Sequence, residues 1–431
     1  MSFFHTAISS IESVISPIAV KVSSQKHINA VKDGFVATMP FLIVGSLILV
    51  FAFPPYEEGF FFSGWKALIE LIGHNNIMAP FHVSMGIFAL YAAYSIGYSL
   101  AESYRLSAKN TGLLSMFGFL LAASPLQSVE TVGGVLPAAN LGAKGAFTAI
   151  LCGLLIPELQ RALIRFNIRI RLPEAVPPKI SASFDLLIPI VFVAIIVTAI
   201  NTALGYADLN IPTAIMNMFK PLVVASDSFA ACILAILLIQ MLWFCGIHGG
   251  SVVTQGILFP VLLLNLGLNQ DAMEAGLELP KIFVSPLLDF FVFIGGAGGT
   301  FGFVLLMVRS KSAHLKAIGR MSIVPGAFNI NEPVIFGAPI VMNPIYFIPW
   351  ILAPITNASI VWFCFKYDLI SKIVALPPWT MPAPIGAVIA TNSGKAALVV
   401  LLCILISIAI YYPFFKSHEK QLLLEEQPST T

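Results

Sequence analysis

The sequence predicts an all-α polytopic membrane protein, and three observations carry that prediction. Of its 431 residues, 58% are hydrophobic and only 10% are charged, whereas soluble domains average about a quarter charged residues. The apolar residues gather into charge-free runs close to the roughly 20 residues that cross a ~30 Å hydrocarbon core. The short segments between these runs are alternately rich and poor in lysine and arginine, the pattern that sets membrane orientation.

Taken in order, residues 1–33 form a cytoplasmic or interfacial N-terminus. Within it FFHTAISSIESVISPIAV, at 3–20, spaces its apolar residues as an amphipathic surface helix would. No uninterrupted apolar core of a signal peptide is visible there, so the first hydrophobic span should act as the membrane signal. Spans follow at 34–53, 77–100, 111–125, 145–163 and 186–204, with the turn-rich QSVETVGGVLPAANLG between the third and fourth. His82, in the second span, reads first as a hydrogen-bonded helix-contact residue.

The second half is less regular. Residues 228–247 make a good span, but HGGSVVTQG follows at once, and 287–308 is interrupted by GGAGGTFG. Small residues of this kind permit close approach of helix backbones. Further spans lie at 344–365 and 396–415, with a Pro/Gly-broken apolar stretch at 376–394 and a charged tail at 416–431. Eight spans stand out and up to ten are expected, the open regions being 248–290 and 376–394. No internal repeat is evident, so an inverted-repeat argument cannot be made.

Loop charge then orients the chain. Lys21, Lys26 and Lys32 precede the first span, Arg105 and Lys109 follow the second, and Arg161, Arg165, Arg169, Arg171 and Lys179 follow the fourth. The loop after the first span instead carries Glu57, Glu58 and Glu70 against Lys66. Both termini are expected in the cytoplasm. The halves divide as 34–227 and 228–415.

Several classes are excluded. A net charge of +2, with basic residues in short loops, gives no footprint for nucleic acid. Cys152, Cys232, Cys245, Cys364 and Cys403 lack the spacing of redox or zinc sites and read as small buried hydrophobes. Cys245, three residues before His248, would share its helix face if the helix continued. There is no P-loop, GGAGGT lacks the strand, helix and acid of a dinucleotide fingerprint, and His248 and Glu332 lack zinc-protease spacing. Ser251 lacks a hydrolase nucleophile setting. No cofactor is expected.

The candidate site centres on 326–344, GAFNINEPVIFGAPIVMNP, where Glu332 sits inside an apolar run broken by glycines and prolines. A charge at bilayer depth costs ~2.5–3.5 kcal/mol on insertion scales. Non-helical backbone is tolerated there only when buried in protein or lining a watery cavity. A re-entrant hairpin with Glu332 facing a cavity follows; a Glu332 paired to a basic residue and locking two helices is the alternative. WFCGIHGGS (243–251) and LPPWTMPAPIGA (376–387) are broken in the same way, as transporter substrate sites are. Together the three stretches offer His248, Glu332, Asn331, Trp243 and Trp379. Imidazole, carboxylate and amide can donate to and accept from hydroxyls, and an indole can cover the apolar face of a pyranose. That set suits a sugar, although either tryptophan could instead belong to an interfacial belt.

LWFCGIHGG, FNINEPVIFGAPIVMNP and LPPWTMPAPIGA, with HINAVKDGFVATMP at 27–40, closely resemble the membrane IIC component of the lactose/cellobiose family of the bacterial phosphoenolpyruvate-dependent sugar phosphotransferase system. The likeness runs from about residue 11 to 415 and is greatest to the cellobiose and diacetylchitobiose branch. It implies a cell-membrane homodimer of ten-helix protomers, each with two re-entrant hairpins. The N-terminal half would form the dimer interface, and the C-terminal half would hold the sugar and move against it. The resemblance further implies that His248 and Glu332 lie near the hydroxyl that becomes phosphorylated, with Asn331, Trp243, Trp379 and, from the less well matched AANLG loop, Asn140 as binding neighbours. The phosphoryl donor would be a phosphocysteine on a separate IIB component, itself served by IIA, so this chain would not be an enzyme alone. The basic loops at 161–171 and 309–320 would dock IIB or simply set topology. A proton-coupled sugar symporter, with Glu332 and His248 as a relay, is the alternative function.

Overall fold

The computed structural model describes residues 24–54, 60–168, 184–338 and 340–426, with Lys21 and Ile170. The amphipathic segment expected at 3–20 lies outside the described residues, as do Glu57, Glu58, Arg169, Arg171 and Lys179 from the charge argument. The chain is all-α. Its only strands among the described residues are Gln127–Val129 and Gly133–Val135, a small antiparallel hairpin in the turn-rich loop.

The first half comprises α1 (Lys26–Ala52), α2 (Phe60–Ile72), α3 (His74–Ser84), α4 (Phe88–Ser103), α5 (Ala108–Ala123), α6 (Ala146–Arg165), α7 (Leu187–Gly205) and α8 (Ile211–Ser226). The second comprises α9 (Phe229–Phe244), α10 (Phe259–Glu274), α11 (Phe301–Val308), α12 (Ala313–Ala327), α13 (Glu332–Gly337), α14 (Pro344–Lys366), α15 (Ala383–Thr391) and α16 (Lys395–Glu425). Among the described residues seven helices are long and apolar enough to cross a membrane. Two bent pairs, Ile211–Ser226 with Phe229–Phe244 (79°) and Ser285–Gly299 with Phe301–Val308 (54°), bring the number to nine.

Two features differ from the sequence reading. The open region 248–290 holds a span: a π-helical segment, Gly250–Leu258, runs directly into α10 to make a 25-residue helix. Its glycines and polar residues obscured that helix. A helix also occupies 211–226, where none was assigned, because Pro212, Asn217, Lys220 and Pro221 interrupt the apolar pattern.

Close approach holds the first half together. A Cβ added to Gly34 of α1 would lie 2.4 Å from Ile96 Cγ1 and 2.8 Å from the Ile96 nitrogen, so α1 rests backbone to backbone on α4. Gly153 brings α6 equally close to Ile96 from another side. This is the small-residue packing of membrane helices, where no hydrophobic force drives association. By contrast, α7 keeps only 11% of its apolar window buried.

Amide side chains do comparable work in the second half. Before α15 the chain runs without regular structure over 371–378, so its backbone groups need partners elsewhere. Asn269 and Gln270 of α10 supply two, donating to the Ile373 and Val374 carbonyls at 2.8 and 2.9 Å. The Ala390 carbonyl accepts from the nitrogens of Val374 and Ala375, and Ser46 Oγ accepts from that of Leu376 at 2.9 Å. Asn269 also bonds the carbonyl and nitrogen of Lys281 at 2.9 and 2.8 Å. At the other end, Glu426 caps α12, accepting from Ser312 Oγ at 2.6 Å and from the nitrogens of Ala313 and His314. Those bonds hold its carboxyl below the usual glutamate range.

Replacing Asn269 with alanine strands three backbone groups at once. At roughly 1–3 kcal/mol for each buried group left unpaired, the N269A protein should lose several kcal/mol. A thermal or denaturant melt in detergent checks this; an unchanged midpoint would mean that water or other groups replace the amide.

Candidate functional site

The three broken stretches converge on one cavity of about 220 Å³. The first begins where α9 ends. Gly246, at φ 79°, turns the chain in a left-handed conformation suited to glycine. His248 thereby returns beside Trp243, with ring centroids 4.3 Å apart. The Ser251 backbone nitrogen donates to His248 Nδ1 at 3.0 Å. With Nδ1 accepting, the hydrogen of a neutral ring sits on Nε2, which is therefore a donor. The π-helical turn beyond adds Ser251, Thr254 and Gln255 to the cavity wall; such segments recur at functional sites.

The second stretch forms a helix, a turn and a short helix: α12, residues 328–331, then α13 with Glu332 in its first turn. The helix N-terminus there is the favourable end for a carboxylate. Glu332 is exposed within the cavity. Among the described residues it forms no ion pair, so the helix-locking alternative for this residue is not realised.

Two neighbouring asparagines brace this turn. Asn329, left-handed at φ 61°, accepts from the Gly295 nitrogen at 2.9 Å and donates to the carbonyls of Trp379 and Met381 at 2.8 and 3.1 Å. It thus joins the GGAGGT loop, the INEP turn and the PPWTMP loop. Asn331 is only 4% exposed. Its amide donates to the Ala297 carbonyl at 2.6 Å and to Thr300 Oγ1 at 3.0 Å. Gly296 must be glycine beneath it, because an added Cβ would lie 2.5 Å from Asn331 Oδ1. Trp379, held by its carbonyl, leaves its indole 48% exposed at the cavity.

Trp243, His248, Asn331, Glu332 and Trp379 therefore line one cavity. Asn140 is not among its lining residues; it precedes α6, with Nδ2 3.4 Å from the Ala123 carbonyl. Sequence reasoning missed Asp289, a second carboxylate in the wall, on the π-helical turn Leu288–Val292. The signal was present: Asp289 stands alone in the apolar PLLDFFVF, the criterion that drew attention to Glu332. No cluster of three or more candidate metal ligands occurs among the described residues.

An all-helical membrane fold around a cavity whose wall holds a carboxylate without an ion pair, an imidazole and two indoles defines a membrane transporter. The family model "Phosphotransferase system, EIIC" matches residues 32–354. The cellobiose-specific EIIC component of Geobacillus stearothermophilus is 35% identical over 442 residues, covering 98% of this chain and 96% of that one. The lactose-specific EIICB component of Streptococcus mutans is 36% identical over 95% of this chain and 72% of its own length. The solved structure of ChbC, the IIC component from the N,N'-diacetylchitobiose-specific phosphotransferase system, superposes with a TM-score of 0.89 at 32% identity, over 96% of this chain and 99% of that one. The chain belongs to the phosphotransferase-system EIIC family. Members are membrane transporter subunits that work with IIB and IIA components, and the phosphoryl group arrives through IIB.

Asn329 tests how far the cavity depends on its bracing. The N329D protein keeps the acceptor for Gly295 and loses both donors. At ~1–3 kcal/mol for each carbonyl stranded, sugar affinity should fall at least tenfold, read by titrating tryptophan fluorescence. Wild-type affinity would mean that the three stretches hold their places without this side chain.

Proposed function

We propose that this chain binds a β-linked disaccharide of the cellobiose or diacetylchitobiose class, carries it inward and presents its C6 hydroxyl to phosphorylated IIB. The observation that carries the reading is the pairing in one cavity of an unpaired carboxylate, Glu332, with an imidazole whose donor nitrogen is fixed, His248. Glu332 accepts a hydrogen bond from the C6 hydroxyl and takes its proton; His248 Nε2 donates to the same oxygen and offsets its developing charge. Trp379 and Trp243 cover apolar sugar faces, while Asp289, Thr254 and Gln255 are placed to meet further hydroxyls. Asn331, which lines the cavity and braces the turn, is a further sugar-binding residue, and Asn140 is assigned to the sugar only through the family resemblance. The relatives named for cellobiose and diacetylchitobiose support the sugar class, and those named EIICB support a B component as partner.

The working form is a homodimer in the bacterial cell membrane. The first half supplies its interface, and the little-buried apolar α7 favours that assignment. Both termini are cytoplasmic. In support, Lys26 reaches the Ser103 carbonyl at 3.1 Å and His27 reaches Glu158 at 3.0 Å, which gathers the basic ends of α1, α4 and α6 on one side.

Vesicles containing only this chain, supplied with phosphorylated IIB on the cytoplasmic side and labelled disaccharide on the other, test the reading. Sugar should appear as the 6-phosphate, and only with phosphorylated IIB. The E332Q protein should lose phosphorylation by ~10²–10⁴-fold while still binding sugar. Wild-type phosphorylation in E332Q would remove the base. Uptake of unmodified sugar driven by a proton gradient would make the chain a symporter, with Glu332 as proton carrier.

A further inference from the structure

Lys32 also lines the cavity, and nothing above employs it. It is the only lysine or arginine among the lining residues, and it comes with Val36 and Met39 from one face of α1. Its recorded ion-pair partner is the adjacent Asp33, 3.5 Å away and 54% exposed. A pair so placed contributes about 0–1 kcal/mol, and Asp33 does not line the cavity. A lysine that served topology alone would extend to the helix end, as Lys26 does in bonding Ser103 and lying over the Tyr104 ring. Lys32 lies six residues deeper, roughly 9 Å along the axis, beside a cavity that otherwise carries two carboxylates, Asp289 and Glu332.

Lys32 also differs from the other polar lining residues in what holds it. The contact of Gly34 with Ile96 fixes α1 to α4, so Lys32 belongs to the first half. His248, Asp289, Glu332 and Trp379 come from the second.

We propose that Lys32 is the positioning cation for phosphoryl transfer, at the cytoplasmic end of the cavity; the inference rests on the phosphotransferase reading. In that step the S–P bond of the IIB phosphocysteine breaks and a bond forms between phosphorus and the sugar O6. The thiolate stays on IIB, and the hydroxyl proton passes to Glu332. The incoming phosphoryl group is anionic and must approach the Glu332 carboxylate, and like charges repel. A lysine facing its path offsets that charge, as cations do wherever phosphoryl groups move. Because Lys32 and Glu332 come from different halves, they line one cavity only when the halves stand as in this structure. Phosphorylation is thereby confined to that arrangement.

The test uses the full chain in detergent, with cellobiose and diacetylchitobiose as sugars and phosphorylated IIB as donor. K32M should bind the preferred sugar within about twofold of wild type and lose roughly 10²-fold in transfer kcat. K32Q should behave as K32M, and K32R should recover to within about tenfold of wild type. Transfer by K32M and K32Q at the wild-type rate would overturn the inference. So would parallel loss of sugar binding in K32M, K32Q and K32R with unchanged melting, since Lys32 would then be a sugar ligand. If wild type itself takes no phosphoryl group from IIB while binding sugar, the phosphotransferase reading fails, and this inference with it.

Discussion

Broken backbone at membrane depth has to find its hydrogen-bond partners inside the protein, and everything that makes this site depends on how that need is met. Lipid offers no donors or acceptors, and each group left bare costs several kcal/mol. Here the partners are amide side chains. Asn329 takes one nitrogen and two carbonyls from two separate loops, Asn331 ties its own turn to the GGAGGT loop, and Asn269 and Gln270 secure the extended segment before α15. An amide suits this role because it donates and accepts without carrying charge. Once the backbone is satisfied, the Glu332 carboxylate and the Trp379 indole can remain open to a ligand, and His248 gives only Nδ1 to the Ser251 nitrogen, leaving Nε2 to face the cavity.

That division also explains which parts of the site were legible in the sequence. Most spans followed from hydropathy, because their length is set by the bilayer. Glu332 and His248 were visible as polar groups in apolar surroundings. Asp289 meets the same test, but it lies two residues inside a run, 287–308, that hydropathy assigns to a span. Asn329 gave no such signal. It stands two residues from the glutamate in FNINEP, and an asparagine in a broken stretch reads as ordinary turn chemistry. Its importance comes from contacts with residues 34 and 50 positions away, which no local pattern encodes. The π-helical segment after His248 escaped for a related reason: an i→i+5 turn matches neither the helical nor the strand period.

The cavity's wall is shared unequally between the halves. The first half contributes Lys32, Val36 and Met39 from α1, and the second contributes the carboxylates, the imidazole and the indoles. Side-chain bonds from α1 and its end to the second half include Ser46 to the Leu376 nitrogen and Asn392 to the Phe53 carbonyl. Within the halves the ties include backbone-to-backbone contact of α1 on α4 at Gly34 and buried amide networks around α10. Close contacts cross between the halves as well: a Cβ on Gly267 would lie 2.2 Å from Ala143 Cβ, and Lys144 pairs with Asp271 at 3.1 Å. The proposed sugar movement has to exchange these crossing contacts, because a body can shift as a unit only if its internal bonds outlast those it must exchange.

On the proposed function, the small amount of chemistry in the cavity follows from what a phosphoryl acceptor site must do. Transfer between two oxygens or a sulfur and an oxygen asks for alignment and placed charge rather than covalent participation by the site. One carboxylate to take a proton, one imidazole with a fixed donor nitrogen and one cation at the approach are sufficient components. Their strength comes from where they stand. A charge held on a braced scaffold needs no reorganisation when the reacting group arrives. The amide bracing is therefore part of the chemistry as well as of the fold: Asn329 and Asn331 hold the turn that carries Glu332 without drawing on its carboxylate.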